Sequence, residues 1–149
     1  MTGKELGERL RGGERVYGTS IVSSSPHWPP AVHQTGLDFV FLDTEHITQD
    51  RVVLSWMCRT YRALKAIDPQ IVVITGAIGP TIDLSGRNAY DVLYLQRMYQ
   101  AGAGACFDVL SAQGYGLWSG PTDRRLRPTT INFQRHLYLR DVMVANGDA

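Results

Sequence analysis

"DFVFLDTEH" (residues 38–46) decides how the chain is to be read. Phe39 to Leu42 are apolar without interruption, as in strands covered on both faces. The run then meets Asp43, Glu45 and His46. A buried strand that delivers two acids and a histidine at its C-terminal end puts them where β/α proteins gather their chemistry.

The segments on either side alternate between strand-like and helix-like. Upstream, "KELGERLRGG" (4–13) is a short amphipathic helix closed by Gly12 and Gly13. "RVYGTSIV" (15–22) is a strand, after which Ser25 is placed to cap a helix with Pro26 at its first position. Downstream, Thr48 offers a cap, and Val53, Met57, Tyr61, Leu64 and Ile67 recur at helical spacing until Asp68-Pro69. "QIVVITGAI" (70–78) is a third buried strand, followed by a polar loop and a helix over 89–105 that carries Val92, Leu95 and Met98 on one face. "FDVLSAQGYG" (107–116) is a fourth strand. A long loop leads to a last helix over 132–148, with Asn132 as its cap and Asn146-Gly147 as its stop. Such alternation implies a parallel sheet with right-handed crossovers. The expected fold is α/β, a partial β/α barrel of about four parallel units with a leading N-terminal helix, in a single domain over 1–149. At 149 residues the chain is short of the ~200–250 that a full eight-unit barrel needs.

Composition narrows the function classes. Fifteen basic and 14 acidic residues leave a formal net charge of +1, which favours neither a nucleic-acid surface nor a polybasic membrane anchor. No run approaches the ~20 apolar residues of a membrane span, and the N-terminus lacks an apolar signal core. A small-molecule substrate and a reducing cytoplasm are the expectation. Cys58 and Cys106 lie 48 residues apart without CxxC spacing, so no disulfide framework or zinc knuckle is indicated. Arg124, Arg125 and Arg127 read as a solvated loop, and His27, His33 and His136 as surface or core residues. Trp56, Met57 and Cys58 read as core positions of a helix facing the sheet.

Residues 1 to about 62 resemble the start of the HpcH/HpaI-type class II pyruvate aldolase (citrate lyase) family. The resemblance rests on "RLRGGERVYGTSIVSSSP", "AVHQTGLDFVFLDTEH" and "ITQDRVVLSWMCRTYRA", with the D-x-E-H strand end as its most specific element. It implies carbon–carbon lyase chemistry on a 2-oxo acid through a pyruvate enolate. His46 would be the general base, and Asp43 and Glu45 would organise the surroundings of a divalent metal (Mg, Mn or Co). An imidazole of ordinary pKa near ~6.5 suits proton exchange at neutral pH.

From about Tyr61 the chain is similar to something else. "YRALKAIDPQIVVITGAIGPT", "DVLYLQRMYQAGAGACFDVLSAQGYG" and "NFQRHLYLRDVMVANGDA" resemble an internal stretch of a retaining, cellulase-like glycoside hydrolase barrel. In that resemblance Tyr115 and Trp118 would line a sugar subsite, with packing at the end of the fourth strand as the alternative. The two carboxylates such a hydrolase needs fall outside the matched stretch. The whole reads as a chimera of two barrel fragments.

The join removes what an aldolase of this type draws from its later strands: two metal carboxylates and an arginine for the substrate carboxylate. Asp83 lies in a loop, and Asp108 begins its strand at the face opposite the site. The metal ligands are therefore not found in the sequence, and a carbon–carbon lyase, a glycosidase and a non-catalytic barrel fragment stand as the three readings. Four parallel strands leave two open edges, so a homodimer completing a barrel is a further expectation.

Overall fold

The computed structural model describes residues 1–23, 25–43, 51–83 and 90–148, with the backbone alone for 51–54. Its Cα packing divides the chain into two compact units, Met1–Ala77 with Ala105–Ser111, and Ile78–Gly104 with Ala112–Ala149.

The first unit is an α/β layer. It contains α1 (Gly3–Arg11), β1 (Gly18–Ile21), α2 (Trp28–His33), β2 (Phe39–Leu42), α3 (Arg51–Ile67) and β3 (Val72–Ile74). The strands pair in parallel in the order β1-β2-β3, with Ile21 opposite Leu42 and Phe41 opposite Ile74. All three C-terminal ends therefore reach one edge of the sheet. Val40, Leu42, Val72 and Val73 are completely buried, while Phe39 and Phe41 are only partly covered. The central strand thus alternates, and the continuous apolar run does not mean equal burial on both faces. Phe39 and Phe41 supply the apolar character of the less covered side.

Two local expectations change. The fourth strand is reduced to two isolated parallel bridges, Ile74 with Val109 and Ile78 with Ala112, so the described residues do not form four complete βα units. Gly114 and Gly116 leave that stretch without the side chains a strand needs for packing. The second helix begins at Trp28 with His27 at its cap position and Pro29 inside its first turn, and Ser25 accepts a hydrogen bond from the His27 N–H instead of capping. The proposed cap Thr48 lies outside the described residues.

Cys58 and Cys106 form a disulfide, contrary to the expectation from their spacing, with Cα atoms 4.8 Å apart. Sequence spacing signals only local frameworks. Here α3 and the short 3-10 turn Ala103–Cys106 bring distant cysteines together through the tertiary fold.

Polar staples fix the helices to the sheet. Thr2 and Glu5 form a reciprocal capping box at the start of α1, worth ~1 kcal/mol. Arg9 then pairs with Asp38 at 2.6 Å, just before β2. The Tyr17 N–H donates to the same carboxylate, and these two interactions, the backbone one foremost, hold Asp38 below the usual carboxylate range.

Asp108 plays the corresponding part for α3. Its carboxylate accepts hydrogen bonds from the Val73 N–H (2.9 Å) and the Tyr61 hydroxyl (3.1 Å), and pairs with Lys65 at 2.7 Å. Burial first, then the neighbouring Asp108 charge, push the Tyr61 phenol up to about 12 from 10.0. The folded chain keeps that proton where the unfolded chain has lost it. The stabilisation is fully present below pH 10.0 and is lost as pH rises toward about 12. Urea midpoints measured across this window are expected to fall, and Tyr61→Phe should remove part of the slope. An identical slope in the phenylalanine variant would refute the assignment.

The second unit contains α4 (Asp91–Gln100) and α5 (His136–Ala145), the latter entered through a 3-10 turn over Phe133–Arg135 behind Asn132. Asp91, Leu95 and Met98 form the buried face of α4, so Asp91 takes the place expected of Val92. At the far end Asn146 caps α5 and Gly147 takes the left-handed conformation (φ 78°) that ends it, as expected.

Candidate functional site

Parallel pairing carries the chain out of β1, β2 and β3 at the same edge, so Val22, Asp43 and Thr75 are the first residues beyond the strands there. Asp43 continues the ladder, its N–H donating to the Ile21 carbonyl at 3.0 Å. Its side chain is buried and is not free of partners. Thr75, equally sequestered, accepts the Ser111 N–H through Oγ1 at 3.0 Å. The central strand thus presents a carboxylate where the sequence places one, beside a rim already closed by a hydroxyl–backbone bond.

Glu45 and His46, the other two members of the expected site, lie outside the described residues. Among the described residues, no group of three or more His, Cys, Asp or Glu side chains could hold a metal ion. The carboxylate sets that are described do not fit the divalent cation implied by the aldolase resemblance. Asp108 accepts from Val73, one residue before the Ile74–Val109 bridge and so away from the edge that carries Asp43. It serves as a structural staple there.

Tyr115 and Trp118 belong to the second unit. Tyr115 is more than half exposed and Trp118 wholly so. Neither is buried in a core. The arginine loop is tied to itself: Arg125 makes a two-pronged contact to Asp123, with Nη2–Oδ2 at 2.7 Å, and Asn132 donates to the Arg125 carbonyl. That pairing holds the Asp123 carboxyl far below its usual range. Arg124 and Arg127 remain exposed, in keeping with a solvated loop. His27, His33 and His136 are all exposed, and His33 lies 3.7 Å from Asp68.

The most tightly built polar group in the second unit is one the sequence did not single out. Arg135, only 3% exposed, binds Asp91 through two hydrogen bonds of 2.6 and 2.7 Å. Its other donors reach the carbonyls of Pro128, Thr130 and Thr81, and its guanidinium lies 5.4 Å from the centre of the Tyr90 ring. An acid at the first turn of a helix was the available signal for Asp91. Nothing local marks Arg135 among its neighbours.

Among the described residues, no helix is long and apolar enough to cross a membrane. No protein-family model matches the chain, and no curated protein does. Among solved structures, the chain is similar to a crystal structure of a citrate synthase variant, SbnG. The identity is 18% and the TM-score 0.39, over 95% of this chain and 78% of that one. Neither figure is high enough to carry a fold or an activity from one protein to the other.

Proposed function

We propose that the chain is a partial β/α barrel carrying a proton-transfer site of the carbon–carbon lyase type, directed at a small 2-oxo acid. The observation that supports this reading is the seat of Asp43: buried, in ladder register, and directly beyond the central strand. Glu45 and His46 follow it by two and three positions. In the proposed reaction His46 removes a proton from the carbon next to the keto group, and the acids orient its imidazole. The arginine and the later metal carboxylates of the resembling family are missing from the sequence, so electrostatic stabilisation of the enolate is weak. Turnover is accordingly expected to be slow compared with a complete aldolase.

The test is deuterium incorporation into the methyl group of pyruvate, read by mass spectrometry. It is run in EDTA and again with magnesium, manganese or cobalt. Exchange above the buffer rate is expected, with a loss of about a hundredfold or more in His46→Ala, the usual size of a general-base contribution. Exchange no faster than buffer under every condition, or exchange indifferent to His46, would leave the non-catalytic reading in its place.

A further inference from the structure

One cavity of the first unit lies between α2 and α3. It is a cleft of about 390 Å³ lined by Ser25, Pro26, Pro29, Trp56, Arg59, Thr60 and Ala63. Asp43 does not line it. Trp56, Arg59, Thr60 and Ala63 fall at i, i+3, i+4 and i+7 on α3 and so share one face of that helix. The opposite wall is the chain leading into α2 and the first turn of that helix. A volume of this size lies within the ~300–1,000 Å³ usual for small-molecule sites.

The chemistry of the walls is divided. Pro26, Pro29, Ala63 and the Trp56 ring are apolar. Among the described residues, no hydrogen bond or ion pair engages the Arg59 guanidinium, the Thr60 hydroxyl or the Trp56 indole N–H. Trp56 and Thr60 are 7% exposed each, yet among the described residues no fully enclosed side-chain nitrogen or oxygen lacks a partner. Their polar atoms therefore retain contact with open space, and both residues line the cleft. Three donors and a permanent positive charge stand around an apolar slot with a flat ring in its wall. Arg9 binds Asp38 and Lys65 binds Asp108 in this unit, whereas Arg59 lines the cleft. Among the described residues, Arg59 has no such pairing.

We infer that this cleft binds a small aromatic carboxylate. The carboxylate is held by the Arg59 fork with support from Thr60, and the ring lies among Trp56, Pro26 and Pro29. A guanidinium matches a carboxylate with two parallel hydrogen bonds, and it is less strongly hydrated than an ammonium, so it gives up water readily to an organic anion. A neutral ring of the same shape satisfies the apolar wall but leaves the charge unanswered. A cation of the same shape is repelled by it.

The probes are 2-naphthoate and its uncharged amide, titrated by calorimetry into the full chain, with the Trp56 indole N–H followed by NMR and assigned with Trp56→Phe. Saturable binding of 2-naphthoate is expected, shifting that resonance. Arg59→Gln should weaken it about ten- to a hundredfold, the range for a hydrogen bond to a charged partner, and the amide should bind the original chain correspondingly less well. Arg59 is exposed and has no ion pair among the described residues, so the glutamine variant should keep its Tm. His46→Ala should bind 2-naphthoate unchanged, which separates this site from the proposed lyase site. Absence of saturation would overturn the inference. So would equal affinity for acid and amide, or an Arg59→Gln variant that binds as tightly as the original chain.

Discussion

Arg135→Met is expected to lower the stability of the second unit by about 3–5 kcal/mol, the range found when one partner of a buried ion pair is removed. A guanidinium has five N–H donors, and in Arg135 they reach two carboxylate oxygens of Asp91 and the carbonyls of Pro128, Thr130 and Thr81. Methionine fills much of the volume but answers none of these acceptors. The Asp91 side chain, only 1% exposed, would be left as a buried charge that keeps the bond from the Val92 N–H at 2.8 Å. Such a loss is a large part of the ~5–15 kcal/mol by which domains are stable. Asp91→Leu combined with Arg135→Met removes the stranded charge and should recover part of the loss, because an apolar pair costs less than a half-pair. Arg135→Lys keeps the charge but not the fork and should fall between the original chain and the methionine variant. Urea unfolding followed by circular dichroism measures all four proteins. A midpoint for Arg135→Met equal to that of the original chain would show that the cluster carries no stability.

The pattern of residues made the first unit legible because its signals are local. Gly12 and Gly13 ended α1, Asp68-Pro69 ended α3, and the run from Phe39 to Leu42 located the central strand of a parallel sheet. Asp43 was legible for the same reason, since a residue directly beyond a buried strand must emerge at its end. The fourth strand was overread. Its apolar letters extend from Phe107 to Leu110, but only Val109 and Ala112 pair, and the glycines that follow give the chain no reason to stay extended. Arg135 and the Cys58–Cys106 bond were invisible because each depends on residues more than forty positions away. Charge and thiol chemistry can be read from one letter. Partnership cannot, unless its spacing repeats a local geometry. The Arg59 cleft belongs to the same class: helical spacing aligns its α3 wall, but only the packing of α2 against α3 leaves the other side open.

Reduction of the Cys58–Cys106 bond is expected to cost about 4 kcal/mol. The bond closes a loop with a sequence separation of 48, and the chain-entropy relation assigns roughly that loss to a loop of this length. The effect should be felt in the first unit, to which residues 105–111 belong. Ties that hold them there include the disulfide, the Ile74–Val109 bridge, the Ser111 bond to Thr75, and the Asp108 staple to Tyr61, Lys65 and Val73. With the covalent tie gone, the segment keeps its packing and its polar ties, each of which contributes only ~0.5–3 kcal/mol net. Buried Cys106 is inaccessible to large reagents in the folded chain, so a small phosphine is the reductant of choice. Urea midpoints with and without it should differ, while a Cys58→Ala, Cys106→Ala double variant should start at the lower value and not respond. Mass spectrometry after alkylation under unfolding conditions must find no free thiol in the untreated protein and two after reduction. Two free thiols in protein prepared without reductant, or coincident midpoints, would refute the bond or its contribution. Disulfides of this kind persist in oxidising surroundings and are kept reduced in most cytoplasms. If the 4 kcal/mol is found, the chain is therefore most stable outside the reducing compartment that its composition suggested.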